Sequence, residues 1–319
     1  MRKISTIAAF ASALLLAAAP SWAQSKYPAS PVTLVTHSSP GGGSDVFLRE
    51  LVKHLTPAMG VTFAVENVRG GSGATAVAKV AKATPNGGMF YATTPTYIQT
   101  SLLSKPEIGY DGLDPIVIVF LDPEVIYTRA ESPFKTMAEA VAYAKANPGK
   151  AKWGAANPAS LERIALERLK RIAGVQAAVA SHEGGGDLMI NVLNGTLDFG
   201  IGEIQEIRAQ LDAGKVRLLG VLTDKRLPDF PQLATAKEQG HDLVVTKFRG
   251  LAGPKGIPDD IAAQWEAAIR KVMASDAYKA EYAKESLVPA VMGRTEARAF
   301  TQRFAEEVTS NLKELGVIK

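Results

Sequence analysis

The 319-residue sequence contains no cysteine and only four histidines. The lack of cysteine excludes disulfide frameworks, thiolate zinc sites, iron–sulfur clusters and cysteine nucleophiles. Two catalytic patterns are also missing, namely the GxxxxGK(S/T) loop of P-loop nucleotide enzymes and the GxSxG turn of serine hydrolases. We therefore predict neither a metal nor another cofactor, and we favour a binding function over catalysis.

An excess of positive charge is missing as well. The formal net charge is +4, and two of those charges come from Arg2 and Lys3 beside the N-terminus. Such a small excess does not produce a continuous basic surface that could bind a nucleic-acid backbone. We therefore expect no nucleic-acid partner. Hydrophobic residues make up 46% of the chain and charged residues 21%, which is typical of a globular protein with a packed core.

Residues 1–23 have the pattern of a cleaved secretory signal. Arg2 and Lys3 precede the uncharged run 4–19, and small residues lead up to Ala23. The uncharged run is shorter than the roughly 20 residues that a membrane-spanning helix needs, so a membrane anchor is the less favoured alternative. We predict cleavage after Ala23 and a mature protein in the periplasm, where a chain without cysteine suits the oxidising conditions.

Short β-rich runs alternate with stretches of helical apolar spacing along the mature chain. Strands are expected at 32–36, 61–67 and 89–93, and a second strand–helix series begins near Met137. Such alternation predicts an α/β fold whose sheets are mostly parallel and flanked by helices.

Two extended segments bracket the second series, one formed by 116–121 with 125–127 and the other by 243–250. An insertion entered and left by strands produces two lobes joined by two crossing strands that can act as a hinge. The expected division is lobe 1 at 24–122 and 249–319, and lobe 2 at 123–248.

Loops rich in glycine and serine follow four of the expected strands. In lobe 1 they are 40–45 and 69–73, and in lobe 2 they are 157–160 and 183–187. Glycine lets a ligand approach the backbone, and the first N–H groups of each following helix can donate to an anion. Loops at the carboxyl ends of neighbouring strands share one crevice, so an anion pocket between the lobes is expected. The alternative for each loop is an ordinary strand–helix turn.

The candidate ligand-binding residues are Ser38, Ser39, Gly41, Gly42, Gly43, Asp45, Gly71, Ser72, Asn157, Ser160, Arg163, His182, Gly184, Gly185 and Glu203. Three of them have equally ordinary structural interpretations. Arg163 can hold a second ligand carboxylate or pair with a glutamate of its own helix. His182 can donate to a ligand or simply end a strand. Glu203 repels an anion unless it holds water or a cationic group.

Several segments, taken in order, resemble the receptors of tripartite tricarboxylate transporters, also called the Bug family. The first is Pro-Gly-Gly-x-x-Asp at 40–45 with Arg49 four residues later, and the second is Val-Glu-Asn at 65–67. The resemblance continues through 77–87, 147–150, 193–198, 211–219 and 250–258. It therefore spans essentially the whole mature chain.

The resemblance implies a two-lobed periplasmic-binding-protein clamshell that captures a small organic acid and delivers it to a membrane permease. One ligand carboxylate then lies against the first two loops, held by backbone amides, hydroxyls and water. This sequence departs from many relatives at His37, Ser38 and Ser39, and at His182 with Glu183. The identity of the ligand therefore cannot be taken directly from the family. We expect a monomer that binds an aliphatic or aromatic di- or tricarboxylate. The alternatives are a ligand-loaded sensor for a receptor kinase and an exported hydrolase or isomerase.

Overall fold

The computed structural model describes residue 27, residues 31–314 and residues 316–318. The predicted signal peptide at 1–23 lies outside these residues. Within the described part of the chain, no helix combines the length and the apolar character needed to cross a membrane.

Strands and helices alternate along most of the described chain. The strands are β1 (Val32–Thr36), β2 (Phe63–Asn67), β3 (Met89–Thr93), β4 (Leu113–Asp122), β5 (Glu124–Arg129), β6 (Ala151–Ala156), β7 (Ala177–His182), β8 (Phe199–Glu203), β9 (Val216–Val221), β10 (Lys247–Pro254) and β11 (Val288–Met292). The helices are α1 (Gly43–Met59), α2 (Ala74–Ala81), α3 (Pro95–Ser104), α4 (Met137–Ala146), α5 (Leu161–Ala173), α6 (Gly185–Leu193), α7 (Ile204–Asp212), α8 (Asp259–Ala274), α9 (Asp276–Lys284) and α10 (Arg294–Glu314).

The strands form two sheets, one in each lobe of a two-lobed α/β fold, as the sequence predicts. The first sheet has the order β11-β4-β10-β3-β1-β2, and the second has the order β7-β6-β8-β5-β9. Both sheets are mixed rather than mostly parallel. Strands β1, β2 and β3 run parallel, as do β6, β7 and β8, whereas β4, β5, β10 and β11 form antiparallel pairs.

The antiparallel pairs follow from the way in which the chain crosses between the lobes. A parallel neighbour needs a crossover connection, usually a helix. Strand β4 instead leads into β5 through the single residue Pro123, and no helix intervenes. The two sheets meet at this crossing and at β10, which lies between β3 and β4. The lobe boundaries at 122/123 and 248/249 stay a prediction.

Each sheet is covered on both faces by apolar side chains. In β1, Leu34 and Val35 are fully buried in separate clusters, because successive side chains of a strand point to opposite faces. In β5, Ile126 and Tyr127 do the same. With both faces covered, the ends of the strands and their loops remain as the places where a ligand can approach.

Candidate functional site

The first loop leads from β1 into α1 and is held in shape by Asp45. The Asp45 carboxylate accepts a hydrogen bond from the Gly41 N–H at 2.9 Å, from Arg49 Nε at 2.9 Å and from Asn67 Nδ2 at 3.0 Å. Gly41 has a φ of 80°, which disfavours any residue with a Cβ. Asp45 is therefore fully engaged inside the loop, and its placement favours a positioning role.

The second loop precedes α2 and is unusually strained. Gly70, Gly71, Ser72 and Gly73 all have positive φ angles, including 51° at Ser72, which is not a glycine. The Ser72 carbonyl accepts a hydrogen bond from Thr100 Oγ1 at 2.7 Å, and the Ala159 N–H of lobe 2 lies 3.4 Å from Ser72 Oγ. A strained backbone held by its surroundings is common at ligand clamps.

The lobe 2 loops begin helices α5 and α6. Ser160 caps α5 by accepting a hydrogen bond from the Arg163 N–H at 3.1 Å, and the Asn157 N–H donates to the His182 carbonyl at 2.6 Å. Gly184 precedes α6 in an extended conformation, with φ 166° and ψ 173°. These bonds fix the two loops side by side at the carboxyl ends of β6 and β7.

The loops of the two lobes meet at a surface that we call the interlobe seam, formed by Ser39, Gly42, Gly43, Gly184, Gly185 and Glu206. The Gly43 N–H donates to Glu206 Oε2 at 3.0 Å. A Cβ at Gly42 would lie 3.3 Å from the Gly185 nitrogen, so the backbones of the two lobes are in near contact. At the rim, Arg69 and Asp187 form an ion pair of 2.6 Å between the lobes. The clamshell is therefore closed.

A buried charged cluster lies where the crossing strands pass the seam. We define it as Asp122, Glu124, Glu162, Glu203, Lys247 and Arg249. The Lys247 ammonium lies 2.9 Å from Glu124 and also contacts Glu162 and Glu203. Arg249 donates to Asp122 at 2.7 Å, to Glu203 at 2.8 Å and to Ser44 of α1 at 2.7 Å. Arg249 therefore ties both lobes to the crossing strand β4.

Burial and the contacts within the cluster shift the pKa values of its carboxyl groups. Burial raises the pKa of Glu124 to about 8, against the opposing effect of Lys247. Burial acts in the same direction on Glu162, but the Lys247 ammonium outweighs it and lowers the Glu162 pKa to about 2. Carboxylate oxygens of Glu124, Glu162 and Glu203 lie within 4.8 Å of one another, a spacing that a divalent cation can use. The Lys247 ammonium contacts all three and supplies the positive charge instead.

His37 lies beside the cluster as a neutral imidazole. Burial lowers its pKa to about 4, and the charge of Lys247 acts in the same direction. Its Nδ1 lies 2.7 Å from the Tyr91 hydroxyl. His37 therefore offers hydrogen bonding beside the charged cluster rather than positive charge.

The protein should lose stability as the pH rises from about 6.5 to 8, because Glu124 binds its proton in the folded state with a pKa of about 8 and more weakly when unfolded. Below pH 6.5, His37 opposes this effect, since its folded pKa is lowered. Glu124→Gln should make the slope between pH 6.5 and 8 less steep, measured by urea unfolding at several pH values, and Glu206, whose pKa burial also raises, should account for a further part of that slope. An unchanged slope would show that Glu124 is already ionised in the folded protein.

Arg163 and His182 are placed differently from the seam residues. The Arg163 guanidinium donates to the Val179 carbonyl at 2.7 Å and to Glu167 at 3.0 Å. These contacts fit the alternative of an ion pair on its own helix. His182 lies 3.5 Å from Asn191, and its Nε2 is buried without a hydrogen-bond partner among the described residues. Ligand contact by either residue stays a prediction.

Of the charged cluster, only Glu203 is among the ligand-binding residues predicted from the sequence, and the two cations Lys247 and Arg249 are not. Both project from β10, on either side of Phe248, in a strand that is buried throughout. Two charges at alternate positions of an otherwise apolar strand are a signal that could have found them, since one face of that strand must then meet polar partners.

The chain is similar to known proteins over most of its length. The family model described as "Tripartite tricarboxylate transporter family receptor" matches residues 47–317. The "UPF0065 protein in gbd 5'region" of Cupriavidus necator is 30% identical, and the match covers 98% of this chain and 96% of that protein.

Solved structures agree with the two-lobed fold. An R. palustris protein solved with adipate has a TM-score of 0.86 at 23% identity, covering 91% of this chain and 98% of its own. The periplasmic binding protein BugD has a TM-score of 0.86 at 24% identity, covering 92% and 100%. Since the family model and the C. necator relative both match most of the sequence, the chain belongs to the tripartite tricarboxylate transporter receptor family, the periplasmic solute-binding Bug receptors, and is a receptor rather than an enzyme.

Proposed function

We propose that the protein captures a small organic carboxylate between its two lobes in the periplasm and delivers it to the permease of a tripartite tricarboxylate transporter. The observation that carries this proposal is the interlobe seam, where glycine-rich loops from both lobes come into contact. The family and the adipate bound to a relative of the same fold support the ligand class.

The seam suits a carboxylate because two helices begin there from opposite lobes. Helix α1 begins at Gly43 and α6 begins at Gly185. The first N–H groups of a helix have no partner inside it, and the helix dipole adds partial positive charge at that end. Facing N-termini repel each other unless an acceptor group lies between them, and in this structure Glu206 fills that role at the Gly43 N–H. A ligand carboxylate at this place would satisfy both helices and favour closure.

A binding screen tests the proposal. The mature protein should be stabilised by at least one small carboxylate in a thermal-shift screen of aliphatic and aromatic acids, by about 2.7 kcal/mol at 100 times Kd. The recovered ligand should be chemically unchanged. No stabilisation by any acid, or steady conversion of the bound acid, would contradict the proposal.

Delivery to a permease is tested in cells. A strain that lacks this protein should fail to import the acid identified in the screen, while its import of unrelated acids stays normal. Normal import of that acid, together with a lost transcriptional response to it, would favour the sensor alternative.

A further inference from the structure

The seam and the charged cluster together contain more acidic than basic groups. Five carboxyl groups belong to this region, namely Asp122, Glu124, Glu162, Glu203 and Glu206, and two cations, Lys247 and Arg249. The four carboxyl groups of the cluster are at most 4% exposed. A ligand that brings only negative charge meets an electrostatic penalty here, since buried like charges disfavour one another.

Among these five carboxyl groups, Glu206 is the one for which the described residues provide no ion-pair partner. Its carboxylate accepts a hydrogen bond from the Gly43 N–H at 3.0 Å, and among the described residues no lysine or arginine forms an ion pair with it. Burial raises the pKa of Glu206 well above its usual range, and the charges of Glu124 and Glu162 add to the effect. Without a positive partner, Glu206 therefore tends to keep a proton.

The position of Glu206 is also next to the proposed carboxylate site. A Cβ at Gly185 would lie 2.6 Å from Glu206 Oε1, so this carboxylate occupies the space beside the start of α6. The N–H that it accepts, from Gly43, begins α1. An acidic group and the anion-binding helix ends thus lie within one side-chain length of each other.

Ser39 provides independent support for a ligand-binding site at the seam. Its side chain is 1% exposed, and its Oγ has no hydrogen-bond partner among the described residues. A Cβ at Gly184 would lie 2.5 Å from that Oγ, which places the hydroxyl in the seam. A buried hydroxyl without a hydrogen-bond partner costs free energy, so we expect a polar group of the ligand to form a hydrogen bond with it.

We propose that the ligand carries a cationic amino group close to its carboxylate, as in an amino acid. This inference rests on the proposed function and narrows it. The carboxylate lies against the starts of α1 and α6. The ammonium favours the ionised form of Glu206, pairs with it and offsets the surplus of acidic groups. Such a ligand adds no net negative charge if it is a zwitterion. A plain dicarboxylate adds two negative charges to a buried region whose five carboxyl groups already outnumber its two cations, so more of those groups would have to hold a proton.

Matched pairs of acids test the inference. Dissociation constants are measured by calorimetry at pH 7 for L-aspartate with succinate, L-glutamate with glutarate, L-phenylalanine with 3-phenylpropionate, and 4-aminobutyrate with butyrate. In at least one pair the amino compound should bind 10- to 100-fold more tightly, the usual effect of a charge-assisted hydrogen bond. Equal or tighter binding of every amino-free acid would overturn the inference and leave the proposed function standing. No binding by any of the eight compounds would count against both.

The variant Glu206→Gln assigns the preference to one side chain. Its amide oxygen can still accept from the Gly43 N–H, so folding and closure should be retained, while the amino compound should lose 10- to 100-fold in affinity and its amino-free partner should not. The control is Asp212→Asn, which removes one charge from the exposed end of the same helix. Tighter binding of the amino-free acid by Glu206→Gln, with an unchanged amino compound, would instead identify Glu206 as an internal competitor of the ligand carboxylate and overturn the inference.

Discussion

Replacing Arg249 with methionine should lower the free energy of unfolding by about 3–5 kcal/mol, the usual cost of leaving buried charges without their partner. The Arg249 side chain is 1% exposed, and its guanidinium pairs with Asp122 and Glu203, which are equally buried. Methionine fills a similar volume, so the loss reflects charge rather than a cavity. Urea unfolding of the two proteins measures the difference.

The matched control is Arg270→Met, which removes an exposed ion pair with Glu266 on α8. Exposed pairs contribute about 1 kcal/mol or less, so this variant should unfold almost as the wild type does. A second variant, Arg249→Met with Asp122→Asn, should recover part of the loss because it removes one of the unpaired carboxylates. Equal small losses for both single variants would mean that the carboxyl groups around Arg249 are neutral in the folded state.

The parts of the fold that depend on local pattern were predictable from the sequence. Strands β1 and β3 have the predicted bounds, because each is a short run of apolar residues ended by turn residues. Helix α6 begins at Gly185, inside the segment 183–187 that was predicted as a loop, because glycine is a poor helix former and hides the first turn. The crossing strands were predicted as extended segments, but their antiparallel direction was missed because strand direction depends on the connection rather than on the strand's own residues.

The residues of the site were likewise predictable only where a local sequence pattern indicates them. The glycine-rich loops were found because they stand next to the strands that position them. Apart from Glu203, the charged cluster was missed because its partners are far apart in sequence: Lys247 and Glu162 are separated by 85 positions, and Arg249 and Asp122 by 127. No local periodicity encodes such pairs. Each of these charged residues is also ordinary when taken alone in the sequence. Only their burial next to one another identifies them as a cluster.

Replacing Gly184 with valine should prevent closure of the lobes and weaken ligand binding by at least about 100-fold, since closure is what brings the donors of both lobes onto the ligand. A Cβ at this position would lie 2.6 Å from the Ser39 nitrogen and 2.5 Å from Ser39 Oγ, both in the opposite lobe. The backbone at Gly184 is extended, so valine can adopt its conformation within lobe 2. The clash therefore arises from lobe 1 alone.

Small-angle scattering and calorimetry test this prediction together. The wild type should show a smaller radius of gyration when saturated with ligand, and Gly184→Val should keep the larger, open radius at every ligand concentration. Its free energy of unfolding should change by about 1 kcal/mol or less, because the open form accommodates the new side chain in solvent. The control is Ala178→Val, which adds a comparable side chain at an exposed position of β7 and should close and bind normally. Wild-type affinity in Gly184→Val would place the ligand outside the seam.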